Sequence, residues 1–160
     1  HGMPLAAALG RGAFADREWA LAPGLDAANV VWVGLRDLDP GERVAIRESA
    51  ATAFTMSDID EVGVHEVVER ALDVAGRGVD GVHVSLDLDF LDPTVAPGVG
   101  TPVRGGATYR EAHAALEAVA RRGTMRSLDV VEVNPILDEH NATAELAVEL
   151  ATSAFGRRVL

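Results

Sequence analysis

Gly81-Val82-His83-Val84-Ser85-Leu86-Asp87-Leu88-Asp89-Phe90-Leu91-Asp92-Pro93 reads as a Val/Leu strand that runs out into a cluster of carboxylates. Asp87 and Asp89 are two apart, so on a strand they point to the same side, with His83 and Ser85 before them on that face and Asp92 following in the turn. Two carboxylates held that close repel and are hard to ionise together unless a cation sits between them. Hard divalent ions accept oxygen ligands of this kind. Acidic groups directly after a buried strand are costly without a partner, so the segment is expected to be a metal-binding strand end. By itself an Asp-x-Asp pair also suits phosphatases that form an aspartyl phosphate and nucleotide-sugar transferases.

Working outward, strands alternate with helices. Residues 29–35 (NVVWVGL) form a short apolar run that fits a strand buried on both faces. Pro40-Gly41-Glu42 opens a short helix reaching Ser49, and residues 53–56 can form a brief strand. Ser57-Asp58-Ile59-Asp60 reads as the start of a helix, in which Val62, Val64, Val67, Val68, Ala71 and Leu72 recur at helical spacing up to Gly76. After the 81–89 strand, Thr108 and Glu111 form a capping box for a helix over 109–122 that ends at Gly123. Its inward face is Ala112, Ala115, Leu116 and Val119. Residues 127–133 read as another strand and 141–155 as a final helix, with Ala144, Leu146, Ala147, Leu150 and Ala151 inward. The pattern predicts an α/β fold in which helices flank a parallel sheet, in a single domain over 1–160. In such sheets ligands bind beyond the carboxyl ends of the strands. Arg36-Asp37-Leu38-Asp39, Asp87 with Asp89, and Glu132 with Asn134 all fall at such ends, so three strands deliver carboxylates to one rim.

Composition narrows the function classes. With 14 basic against 25 acidic residues the formal net charge is -11, which repels phosphate backbones and argues against nucleic acid. There is no cysteine, so His, Asp and Glu are the strong metal ligands available. No apolar run approaches the ~20 residues of a membrane span, and the opening His1-Gly2-Met3-Pro4 lacks the basic start of a signal peptide, so a cytoplasmic protein is expected. Of the histidines, His65 and His113 are expected on helix surfaces, and His83 as a hydrogen-bonded core residue. Trp19 and Trp32 read as packing.

Four motifs in one order carry a family resemblance: residues 34–42 (GLRDLDPGE), 85–93 (SLDLDFLDP), 98–103 (GVGTPV) followed by Gly105-Gly106, and 128–135 (LDVVEVNP). Together they resemble the arginases of the ureohydrolase family, and the resemblance runs from His1 to the last helix. It implies a three-layer arginase-like fold, incomplete at its N-terminus, with this chain as the C-terminal portion. It further implies manganese-dependent hydrolysis of L-arginine to L-ornithine and urea, with two Mn²⁺ ions per active site.

The roles implied by the resemblance are these. Asp87 and Asp89 would bind the ions, and His1 would shuttle protons as the catalytic histidine. Asp39 and Glu42 would recognise the substrate's α-amino group, Glu132 would pair with the guanidinium, and Thr101 would lie in a loop beside the substrate. The glycine loop over 98–106 is read as backbone geometry, since no Lys follows it as in a phosphate cradle. Homo-oligomers, trimers or hexamers, are common in the family and are implied here too. The Asp-Ala-His-x-Asp motif of the family's first half is absent from this chain, as is a further metal-binding His. The resemblance therefore leaves the remaining ligands to a missing segment, and a chain of these residues alone is expected to be nearly inactive. Agmatinase or another ureohydrolase, a phosphatase with Asp87 as nucleophile, and a non-catalytic scaffold fragment are the alternatives.

Overall fold

Ten regular elements run through residues 2–12 and 25–157, which the computed structural model describes. They are α1 (Met3–Ala8), β1 (Val31–Leu35), α2 (Pro40–Glu48), β2 (Thr52–Thr55), α3 (Met56–Val62), α4 (Val64–Ala75), β3 (Val82–Asp87), α5 (Tyr109–Arg122), β4 (Met125–Val131) and α6 (Ala142–Ala154). β1 pairs with β2 and β3 with β4, both in parallel. A parallel pair needs a long crossover, and α2 and α5 supply helical ones. Parallel strands under helices agree with the expected architecture. Among the described residues, however, the four strands make two separate two-stranded sheets and not one continuous sheet. The helical layer joins them: α4 packs on β1 and on α5, while α5 packs on β4 and α6.

α5 forms as its sequence dictates. The Thr108 hydroxyl accepts from the Glu111 amide at 3.3 Å, and Glu111 accepts from the Thr108 amide at 2.8 Å. Ala112, Ala115, Leu116 and Val119 are buried, and Gly123 ends the helix in the left-handed region at φ 69°. The single helix expected from Ser57 to Gly76 is instead two. Gly63, at φ 85°, ends α3 and starts α4, a turn open to glycine and strained for other residues. Val62, expected inward, is left exposed by that break, whereas Val64, Val67, Val68, Ala71 and Leu72 are buried. α1 is an element the apolar pattern did not predict.

The start of α6 also differs in detail. Asn141 makes no side-chain cap. The Asp138 carboxylate does that work, accepting from the amides of Thr143 (2.9 Å) and Ala144 (3.1 Å). Leu88, Leu91, Leu150, Val67, Val99 and Thr143 are the largest fully buried side chains. Two of these leucines thus flank the Asp89 turn. Trp32 is half-buried in β1, and Trp19 lies outside the described residues.

Two histidine expectations are corrected. His113 is buried, with Nδ1 2.8 Å from the Ser153 hydroxyl, because α6 packs over that face of α5. His83 is exposed on β3 beside the Ser127 hydroxyl, because its side of the β3–β4 pair carries polar residues and the apolar side faces the core. His65 is exposed as expected. No helix among the described residues is long and apolar enough to cross a membrane.

Candidate metal and substrate site

β3 ends at Asp87, and the chain turns at once into a single 3-10 turn, Leu88–Phe90. Asp89 is therefore off the strand, and pleat alternation is not what brings the two aspartates together. Asp87 accepts from the Asp89 amide at 2.9 Å, an Asx turn that folds the second carboxylate back toward the first. The buried side chains of Leu88 and Leu91 anchor the turn. The Thr101 hydroxyl then donates to Asp89 Oδ2 at 3.0 Å.

Glu132 arrives from the end of β4. Its backbone sits in the left-handed region at φ 69°, an uncommon conformation for glutamate that costs energy and clusters at functional sites. Its carboxylate lies against Gly100, where an added Cβ would be 3.6 Å from Glu132 Oε2. Asp87, Asp89, Thr101 and Glu132 thus form one cluster. Its electrostatics follow: Asp87 is pushed up to about 7, chiefly by burial, with the charges of Asp89 and Glu132 adding to it and the Asp89 amide opposing it.

The loop that carries Thr101 is held by backbone geometry, as its glycines suggest. A Cβ on Gly106 would sit 2.4 Å from the Leu91 backbone, and one on Gly98 would sit 2.5 Å from the Asp138 side chain. The Gly98 amide donates to the Thr143 hydroxyl at 2.8 Å, and the Asn134 amide donates to the Gly98 carbonyl at 2.7 Å. Asp92 staples the far side of the loop, accepting from the Gly105 amide (2.8 Å) and the Thr94 hydroxyl (2.6 Å). The Thr94 hydroxyl and these amides hold Asp92 down to about 2.

Asp39 and Glu42 form a second group, at the N-terminus of α2. Asp39 Oδ1 accepts from the Glu42 amide at 2.8 Å, and Glu42 Oε2 accepts from the Asp39 amide at 3.0 Å. This reciprocal cap fixes both carboxylates relative to the helix. Gly2 lies beside Glu42, an added Cβ there falling 3.8 Å from Oε1. His1 itself lies outside the described residues. Arg36, three residues before Asp39, donates to the Asp89 carbonyl at 2.5 Å; sequence reasoning left it without a role because no pattern marks a lone arginine at a strand end.

The donor chemistry fits a hard divalent ion at Asp87 and Asp89, two adjacent carboxylates whose joint ionisation a cation favours. Among the described residues no three His, Asp or Glu side chains converge as a complete metal site.

Comparison with known proteins identifies the family. The Arginase family profile matches residues 1–156. The chain is 50% identical to an arginase of Brevibacillus brevis, matching all of this chain and 54% of that protein. A solved arginase from Bacillus subtilis superposes with a TM-score of 0.93 at 50% identity, over all of this chain and 56% of that one. The solved structure of a hypothetical agmatinase from Burkholderia thailandensis reaches a TM-score of 0.69 at 28% identity, over 82% of this chain and 39% of the other. The chain therefore spans about half the length of these arginases.

Proposed function

Because the chain belongs to the arginase family, we propose that its residues form the substrate-binding part and half of the metal site of an enzyme that hydrolyses L-arginine to L-ornithine and urea. The cluster of Asp87, Asp89, Thr101 and Glu132 carries this reading: three carboxylates crowded at one rim, one of them resisting ionisation, suit cations and little else. Asp87 and Asp89 would hold Mn²⁺, with the remaining donors supplied from outside these residues. What bound Mn²⁺ brings is an activated water near neutral pH.

The chain's own groups account for the rest of the chemistry. Glu132 can accept two parallel hydrogen bonds from the substrate guanidinium, which fixes the carbon for attack. Asp39 and Glu42 keep one carboxylate oxygen each outside their mutual cap, and these can face the α-amino group, Glu42 through water. Thr101 orients Asp89 through its hydroxyl. His1 would return a proton to the leaving amine.

The higher identity and TM-score to arginases than to the agmatinase favour arginine over agmatine. Urea release by the complete enzyme, measured with each substrate and with and without added Mn²⁺, tests the proposal. Manganese-dependent release from L-arginine is the expected result; release from agmatine alone, or none from either, would count against it.

A further inference from the structure

Arg36 stands one residue past β1 and three before Asp39. Its guanidinium is part-buried and reaches across to two other segments of the site. Nη2 donates to the carbonyl of Asp89 at 2.5 Å, to that of Val103 at 2.8 Å and to that of Leu91 at 3.4 Å. Nε donates to the Val103 carbonyl at 3.2 Å. All these acceptors are backbone oxygens, so the side chain grips the course of the chain and not a neighbour's charge. The planar fork suits this task, because its N–H groups diverge in fixed directions and each bond is charge-assisted.

β1 and β3 share no strand ladder among the described residues. At the site end they are joined by Arg36 and by the Phe90 ring lying against Gly34. Three functional pieces meet at Arg36: the loop leading to Asp39 and Glu42, the turn carrying Asp89, and the segment after Thr101. We propose that Arg36 is a positioning residue that sets the distance between the carboxylates facing the substrate's α-amino end and the cluster facing its guanidinium end. The guanidinium acts as a ruler for substrate length. This inference rests on the arginine-hydrolase reading above, which supplies the two ends of the substrate.

Arg36→Lys in the complete Mn²⁺-loaded enzyme tests it. An ammonium keeps the charge but cannot span both the Asp89 and Val103 carbonyls in the same fork. Compare kcat/KM for L-arginine and for L-homoarginine, which is one methylene longer, together with Mn²⁺ content and melting temperature. Expected is a fall of about tenfold in the preference for arginine, the scale of one lost charge-assisted bond, with metal content retained and the melting temperature lowered by about a few degrees only. Arg36→Gln, shorter and uncharged, should lower the preference at least as far. A preference unchanged in both variants, or activity lost equally on both substrates alongside a lower melting temperature, would overturn the inference. Wild-type enzyme that releases urea from neither substrate would instead overturn the parent reading, and the ruler with it.

Discussion

At Asp87, burial and two neighbouring carboxylates oppose ionisation, and the sign of the consequence is definite. In the unfolded chain this group releases its proton near 3.8, whereas in the fold it keeps it up to about 7. Between those values the folded state binds more protons, so stability falls as pH rises through the window and the penalty is absent below it. Asp58, Asp92 and Asp138 are shifted downward, so their contributions change only in more acid solution. Metal-free protein should melt at a lower temperature near pH 8 than near pH 5, and Asp87→Asn should flatten the difference. Melting curves in chelator read this directly, and a steeper dependence in the variant would contradict it. The carboxylates themselves were legible in the sequence, because acid after an apolar strand is conspicuous. The left-handed backbone of Glu132 and the reach of Arg36 were not, since each depends on segments far apart in the chain.

Elements were legible where several local signals agreed. In α5 the capping box, the apolar face and the terminal glycine all mark the same bounds. Across α3 and α4 the apolar spacing continues through Gly63, so periodicity alone hid the break. Gly34 illustrates a different dependence. It has φ +86°, sits at the register shift in β1, and an added Cβ would lie 2.4 Å from the Phe90 ring. Gly63 has φ +85° with nothing within 4 Å of such a Cβ. Gly63→Ala should therefore cost only backbone strain, about 1 kcal/mol, while Gly34→Ala adds overpacking for about 2–4 kcal/mol in all. Urea denaturation of the pair measures the gap, and equal losses would show that Phe90 moves aside freely. Because Phe90 belongs to the turn holding Asp89, only Gly34→Ala should also disturb the proposed metal ligands.

For the whole molecule, the α/β class and parallel pairing followed from alternating strands and helices, but strand order did not, because periodicity carries no record of which strands are neighbours. The chain spans about half the length of the arginases it matches, which bears on what it does alone. With only two carboxylates proposed as metal donors among its described residues, the chain produced alone should release urea at near-background rate. After dialysis it should hold well under two Mn²⁺ ions by elemental analysis, since transition-metal sites usually use more protein ligands. Full turnover by these residues alone would refute this. The division into two strand pairs among the described residues bears on handling as well as on chemistry. Two-stranded sheets are marginal on their own, and unpaired strand borders are templates for joining another chain. The surplus negative charge, 25 acidic against 14 basic residues, works against such sticking. Added salt screens that repulsion, so a clear dilute solution of the chain is one that brine should turn cloudy.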